Sequence, residues 1–470
     1  MNYQRPTMAS RRQNLLLRPR SRSPSPHRQT NGHGVKVNMK VKKTVEWLLA
    51  MGFSVQGFRC FPWMAVNFFL KDCLCVSPSA LQILMNSANL PMIGKPLYGI
   101  LSDAVSINGD HRLPYVAIGA LLQAISWLTI VSLPRLYLTV TSLTILLILG
   151  NLGVSITEVA NDAMVAEAGN RSRTSGHLQS FVWTFTSLAG ILGNLLGGFA
   201  VSRFSPTTMF LFYGLMLIVQ LLSTISISET SLNLPRKTTA TATVTKSLSI
   251  RKQISELYSV LSIPEISHSI AWFSASFAVI PILMGTMFYY QTEYLKLDSS
   301  VIGLSKVFGQ AYVLGWSLTY NRWLKEVPPR KLLSVIQVSI VVLMMSDIVF
   351  VAGIYRAIGV SDSVYVVVIS GLLEVLVMQF KVLPFIVHIA QMCPVGCEGS
   401  LMAFVMSATA VAMIVSGYFG VLLANIFGVS DKDFSGFMVA IFVQAVCAGL
   451  PVFWSNYISD DSQRSQFKMR

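Results

Sequence analysis

The sequence predicts an all-α membrane protein of twelve transmembrane helices in two six-helix halves. Three observations carry this. The 470 residues are 53% hydrophobic and only 12% charged, about half the charge of a soluble domain. Twelve apolar stretches reach the ~20 helical residues that a hydrocarbon core requires. The basic residues are also sorted by side, as orientation in a membrane demands.

The stretches are 47–70, 79–101, 113–133, 136–160, 177–201 and 206–228 in the first half. The second half has 266–290, 300–320, 332–355, 363–390, 400–427 and 434–457. The second and eighth carry the most polar residues. Helix-breaking prolines lie within the stretches, among them Pro62, Pro91, Pro281 and Pro384. Gly193 and Gly197 form a G-x-x-x-G pair in the fifth, a pattern that permits close helix contact.

An even number of spans puts both termini on one side. Residues 1–45 hold eleven Lys/Arg and no Asp or Glu. Fifteen more basic residues fall in connections on the same side, and seven, counting Lys306 at the edge of the eighth stretch, on the other. That bias predicts both termini inside. It also accounts for the net charge of +15 without nucleic acid as a partner. Residues 1–45 are expected to be a basic disordered tail or a transit peptide. The halves are expected at 46–228 and 266–457, with an inner loop at 229–265 and a short inner tail at 458–470. Within that loop, Arg251–Leu261 has the pattern of a short amphipathic helix on the inner surface.

No P-loop, nucleophile motif or zinc-ligand spacing is present, so no enzymatic activity, cofactor or metal is expected. The six cysteines sit in or beside apolar segments and read as packing residues. Ionisable residues inside a bilayer cost ~2.5–3.5 kcal/mol each on insertion scales and tend to serve function. Four stand out as candidate substrate-binding groups: Arg59, Lys95, Glu374 and Lys381. Glu374 and Lys381 are seven residues apart, which on a regular α-helix places them on one face. The expectation is that Arg59, Glu374 and Lys381 share a central cavity. Candidate gating residues lie nearer the inner ends: Gly99, Asp103 and Arg112 around the second connection, and Glu158 and Asp162 one turn apart in the fourth stretch. Glu167, Arg171 and Arg173 could complete a charge network there or form a solvated loop face.

Lys95-Pro96-Leu97-Tyr98-Gly99-Ile100-Leu101-Ser102-Asp103, with Arg112 beyond, resembles the loop signature of the major facilitator superfamily. Four further segments narrow the resemblance: Phe69-Leu70-Lys71-Asp72, Glu158-Val159-Ala160-Asn161-Asp162-Ala163-Met164-Val165-Ala166-Glu167, Leu178-Gln179-Ser180 and Tyr320-Asn321-Arg322-Trp323-Leu324-Lys325-Glu326-Val327-Pro328. In this order the chain is similar, from about Val55 to Tyr457, to the folate–biopterin transporter family, especially its plant members. It departs from that pattern after Asp103, where His111-Arg112-Leu113-Pro114 carries fewer basic residues. The resemblance implies a major-facilitator-like fold and alternating-access transport of folate or a related pterin. Folates carry carboxylates, which cationic groups in a cavity would suit. A coupling proton is possible on Glu374. Two alternatives stay open on the sequence: another organic solute on the same fold, and a receptor or scaffold that does not transport. Plant members of the family include chloroplast-directed ones, and the tail is Arg-rich and acid-poor as transit peptides are. The chloroplast envelope therefore stands slightly ahead of the plasma membrane or another cellular membrane.

Overall fold

The twelve stretches are helical, and the way some of them break positions the site. The computed structural model describes residues 32–107, 110–134, 137–172, 175–227, 242–392 and 398–458. α1 (Gly32–Phe58) and α2 (Cys60–Phe68) form the first span, and α3 (Pro78–Ala88) and α4 (Lys95–Ala104) the second. Single helices form the next four: α5 (Leu113–Ser132), α6 (Val140–Ser172), α7 (Ser175–Val201) and α8 (Pro206–Ile225). α9 (Ala242–Leu261) lies in the connection between the halves. α10 (Pro264–Ala278) and α11 (Met284–Tyr289) make the seventh span, α12 (Ser299–Thr319) the eighth and α13 (Pro329–Val351) the ninth. The tenth is built from α14 (Asp362–Tyr365), α15 (Gly371–Val375) and α16 (Val382–Met392), joined by π-helical turns at Val366–Ser370 and Leu376–Phe380. α17 (Glu398–Ile426) and α18 (Phe437–Phe453) complete the bundle. α1 begins well before residue 46, inside the expected tail, and α9 starts earlier than the expected Arg251.

Seven helices among the described residues are long and apolar enough to cross a membrane by themselves. The other spans fall short for physical reasons. The first, second and seventh are divided near prolines, α12 is polar, and α18 has 17 residues. Irregular backbone at membrane depth is tolerated only where protein or a cavity surrounds it. Broken and polar spans are thus the ones expected around a central site.

The apolar surface is divided between core and lipid. On α8, Phe210, Tyr213, Leu217 and Thr224 are buried while Phe212, Leu215, Val219 and Leu222 are exposed. Both faces are mainly apolar, which suits a helix with protein on one side and hydrocarbon on the other. α9 differs: Val260 is buried, and Arg251 and Lys252 are exposed.

The two halves repeat one another locally. The first span ends in a π-turn at Phe69–Cys73 and the seventh in one at Tyr290–Tyr294. Leu74 and Leu295 then donate back to Phe69 and Tyr290. Cys75 and Lys296 follow, the only non-glycine residues of positive φ among those described. Side-chain caps from Ser77 and Asp298 open the next helices, α3 and α12. Corresponding backbone events in corresponding order are the mark of an internal structural repeat.

Candidate functional site

Pro62 has no N–H to offer the carbonyl of Phe58, so the first span breaks one turn before it. The break falls on Arg59, between α1 and α2. In the second span a 3-10 turn over Leu90–Gly94 precedes Lys95, the first residue of α4. Both irregularities face α6. There Glu158 accepts from Arg59 Nη1 at 3.4 Å and pairs with Lys95 Nζ at 2.8 Å. α6 reaches this position by lying against α5. A Cβ on Gly119 would come within 2.5 Å of the Gly153 carbonyl and 2.1 Å of Thr157 Oγ1, so only glycine permits the approach.

A small cavity of about 10 Å³ lies behind this cluster, lined by Arg59, Glu158, Gln56, Gln123, Tyr213 and Gln220 among others. That is room for one water. Gln220 is buried, and neither its Oε1 nor its Nε2 has a hydrogen-bond partner among the described residues.

The second half contributes a second ion pair. Lys306 Nζ on α12 contacts Glu374 Oε2 on α15. The side chains of Arg59, Lys95 and Glu158 are 26%, 22% and 12% exposed, and those of Lys306 and Glu374 are 33% and 34%. All five are therefore partly exposed while held in ion pairs. Three cations and two carboxylates leave the set with one excess positive charge.

Two sequence expectations are corrected here. Lys306 was assigned to the outer end of its span, yet it turns inward to Glu374. Lys381 was expected beside Arg59 and Glu374 and is fully buried inside the second half. Its Nζ donates to the Ser276 carbonyl at 3.0 Å, Ser276 Oγ at 3.1 Å and Gln337 Oε1 at 3.2 Å. It also lies 3.9 Å from the ring centre of Phe277. The reason is the π-turn at Leu376–Phe380, between Glu374 and Lys381. A π-turn has more residues per turn than an α-turn, so the seven-residue spacing no longer marks one face.

The gating candidates divide. Arg112 Nη2 contacts Asp103 Oδ1, and Arg112 also donates to Glu167 Oε1 from Nε at 2.9 Å and from Nη2 at 2.7 Å. Ser102 Oγ accepts from its Nη1 at 2.6 Å. Burial opposes the charge of this guanidinium, but the Asp103 and Glu167 carboxylates outweigh burial and hold its pKa above the ordinary arginine value. This cluster ties the second, third and fourth spans of the first half at their inner ends. Gly99 faces Val159 of α6 at ordinary contact distance. Glu158 was expected in this network and instead joins Arg59 and Lys95. Asp162, one turn further inward, is exposed. The Arg171 side chain and Arg173 lie outside the described residues.

Sequence reasoning missed Lys306, Gln220 and the firm place of Glu167. A polar eighth stretch was the signal for Lys306. A glutamine in the middle of the apolar sixth was the signal for Gln220.

A twelve-span bundle of two related halves, with ion-paired charged side chains deep in each half, defines a membrane transporter of the major facilitator fold. The solved D-xylose–proton symporter has the same fold: TM-score 0.63 at 16% identity, over 88% of this chain and 96% of that one. The chain belongs to the BT1 family, which it matches over residues 56–468. It is 54% identical over 428 residues to the probable folate-biopterin transporter 7 of Arabidopsis thaliana, covering 90% of this chain and 95% of that protein. The probable folate-biopterin transporter 9, chloroplastic, of the same plant is 40% identical, over 92% and 81% of the two chains.

Proposed function

We propose that the chain carries folate or a related pterin across a membrane by alternating access, with the substrate bound among Arg59, Lys95, Glu158, Lys306 and Glu374. The observation that carries this reading is the excess positive charge of two ion-paired sets deep in the bundle, Arg59, Lys95 and Glu158 in the first half and Lys306 and Glu374 in the second. A bound carboxylate would take hydrogen bonds from Arg59 and Lys95 in competition with Glu158. The names of the relatives supply the substrate class. Asp103, Arg112 and Glu167 act at the inner end, holding three helices as one unit while the halves rock. Glu374 is the proposed carrier of a coupling proton, because its half-buried side chain is held by a single ion pair to Lys306.

The chloroplast envelope is the proposed location. The chloroplastic label of one relative supports it, and the absence of that label from the 54%-identical one weighs against it. Residues 1–50 fused to a soluble fluorescent protein should be imported and cleaved. A reporter that stays cytosolic and full length removes the transit-peptide reading.

Equilibrium binding to the purified protein tests the site. Labelled folate should bind saturably, and Arg59→Gln should weaken it by about 10- to 100-fold, the worth of one to two charge-assisted hydrogen bonds. Unchanged affinity in a folded Arg59→Gln protein would place the site elsewhere.

A further inference from the structure

We propose that Gln82 is the latch that holds the bundle shut at the end away from its termini. The inference rests on the alternating-access reading and adds a positioning residue to it. Gln82 lies on α3 in the first half and is almost completely buried. Its Nε2 donates to the carbonyls of Ile282 and Gly417, both at 2.6 Å, and its Oε1 accepts from the Gly285 N–H at 2.8 Å. All three partners are backbone groups of the second half. One short side chain thus bridges α3 to the break before α11 and to α17.

The break explains why those groups are available. Pro281 interrupts the seventh span, and helical structure resumes only at Met284. In a continuous helix the Ile282 carbonyl would accept from residue 286, and the Gly285 N–H would donate to residue 281. Gln82 meets both groups from the opposite half. The approach is close: a Cβ on Gly420 would lie 1.9 Å from the Ile282 carbonyl, and one on Gly285 2.6 Å from that of Pro78.

The repeat strengthens the argument. The offset that carries Cys75 onto Lys296 also carries Gln82 onto Gly303. Gly303 sits at the other crossing between the halves, where α12 meets α7. Its added Cβ would come within 2.8 Å of Gly198 Cα, and Ser299 Oγ donates to the Gly198 carbonyl at 2.8 Å. One crossing closes by glycine-to-glycine backbone contact and a serine hydroxyl, and its counterpart closes by an amide clasp. Tyr289 Oη, which contacts the Val76 carbonyl, and Ser79 Oγ, which donates to Asn425 Oδ1 at 3.1 Å, lie along the same seam.

Parting this seam exposes an unpaired carbonyl, an unpaired N–H and the Gln82 amide at once. Each costs free energy until water arrives. Opening is therefore tied to water entry, and the clasp biases the protein toward the state closed at this end.

Distances between spin labels at Asp72 and Lys432 test this. Both residues are exposed at the far end, and the full-length protein would have its native cysteines replaced. Gln82→Leu keeps the bulk and removes the amide. It should raise the ratio of long to short distances about tenfold, the effect of one to two net hydrogen bonds. Gln82→Glu keeps the size but offers no donor when ionised. It should open the same end at neutral pH and close it again in acid, when the protonated carboxyl regains one donor. Were Gln82→Leu not to fold, the pH response of Gln82→Glu would still decide. Folded variants with wild-type distances, or a Gln82→Glu protein indifferent to pH, would overturn the latch. A distance shift in a protein that never takes up folate would support the latch and count only against the substrate reading.

Discussion

Arg59 and Lys381 are both basic groups deep in the bundle, and they differ in what surrounds them. Arg59 keeps part of its side chain open to the cavity and shares Glu158 with Lys95. Lys381 gives its three protons to three neutral oxygens and meets no carboxylate among the described residues. Substitution should separate the two. Lys381→Met leaves the Gln337 and Ser276 oxygens unpaired, which should cost about 1–3 kcal/mol of stability. Folate affinity of the folded fraction should be unchanged. Thermal unfolding beside equilibrium binding reads both effects, and a large loss of affinity in stable Lys381→Met protein would return that residue to the site. Arg59, Lys95 and Glu374 were legible in the sequence because membrane charge is costly wherever it falls. Lys381 was misread because spacing was converted to direction through a regular helix, and a π-turn broke the conversion. Lys306 was misread because a lysine near the edge of a stretch leaves the same trace in sequence whether it reaches outward or pairs inward.

At the scale of the element, proline makes the site. Pro62 interrupts the first span at Arg59, and Pro281 frees the backbone that Gln82 clasps. Pro62→Ala supplies the missing N–H to Phe58 and lets α1 run on into α2. The variant should be as stable as the parent or more so, yet bind folate at least several-fold more weakly as Arg59 turns away from Glu158. Melting temperature and affinity, measured together, check this. An affinity equal to wild type would mean that the break does not aim Arg59. The prolines were visible in the sequence, but the geometry they impose was not. A proline announces a lost hydrogen bond and leaves open which neighbour supplies the replacement. The glycines of the fifth span divide likewise. Gly193 packs near Cys60 within the first half, while Gly198 meets Gly303 across the seam. No spacing rule distinguishes those two roles.

For the whole molecule, hydropathy located the twelve stretches because a bilayer tests length and apolarity directly. The arrangement of two halves followed from the number of spans and the long polar connection. The seam between the halves was not legible, since it consists of backbone groups and scattered polar side chains such as Gln82, Ser79, Tyr289 and Ser299 rather than a patterned surface. Orientation follows from the basic residues. Reporters fused after residue 240 and at the C-terminus should both report the inner compartment, and one on the opposite face would break the two-half arrangement. The central claim is that this protein moves a folate or pterin through a site built on ion pairs. Uptake of labelled folate into proteoliposomes holding the purified protein tests it most directly. Uptake should be saturable, inhibited by excess unlabelled folate or biopterin, indifferent to xylose, and strongly reduced by Arg59→Gln. Accumulation no greater than in empty liposomes, or inhibition by xylose as strong as by biopterin, would contradict it.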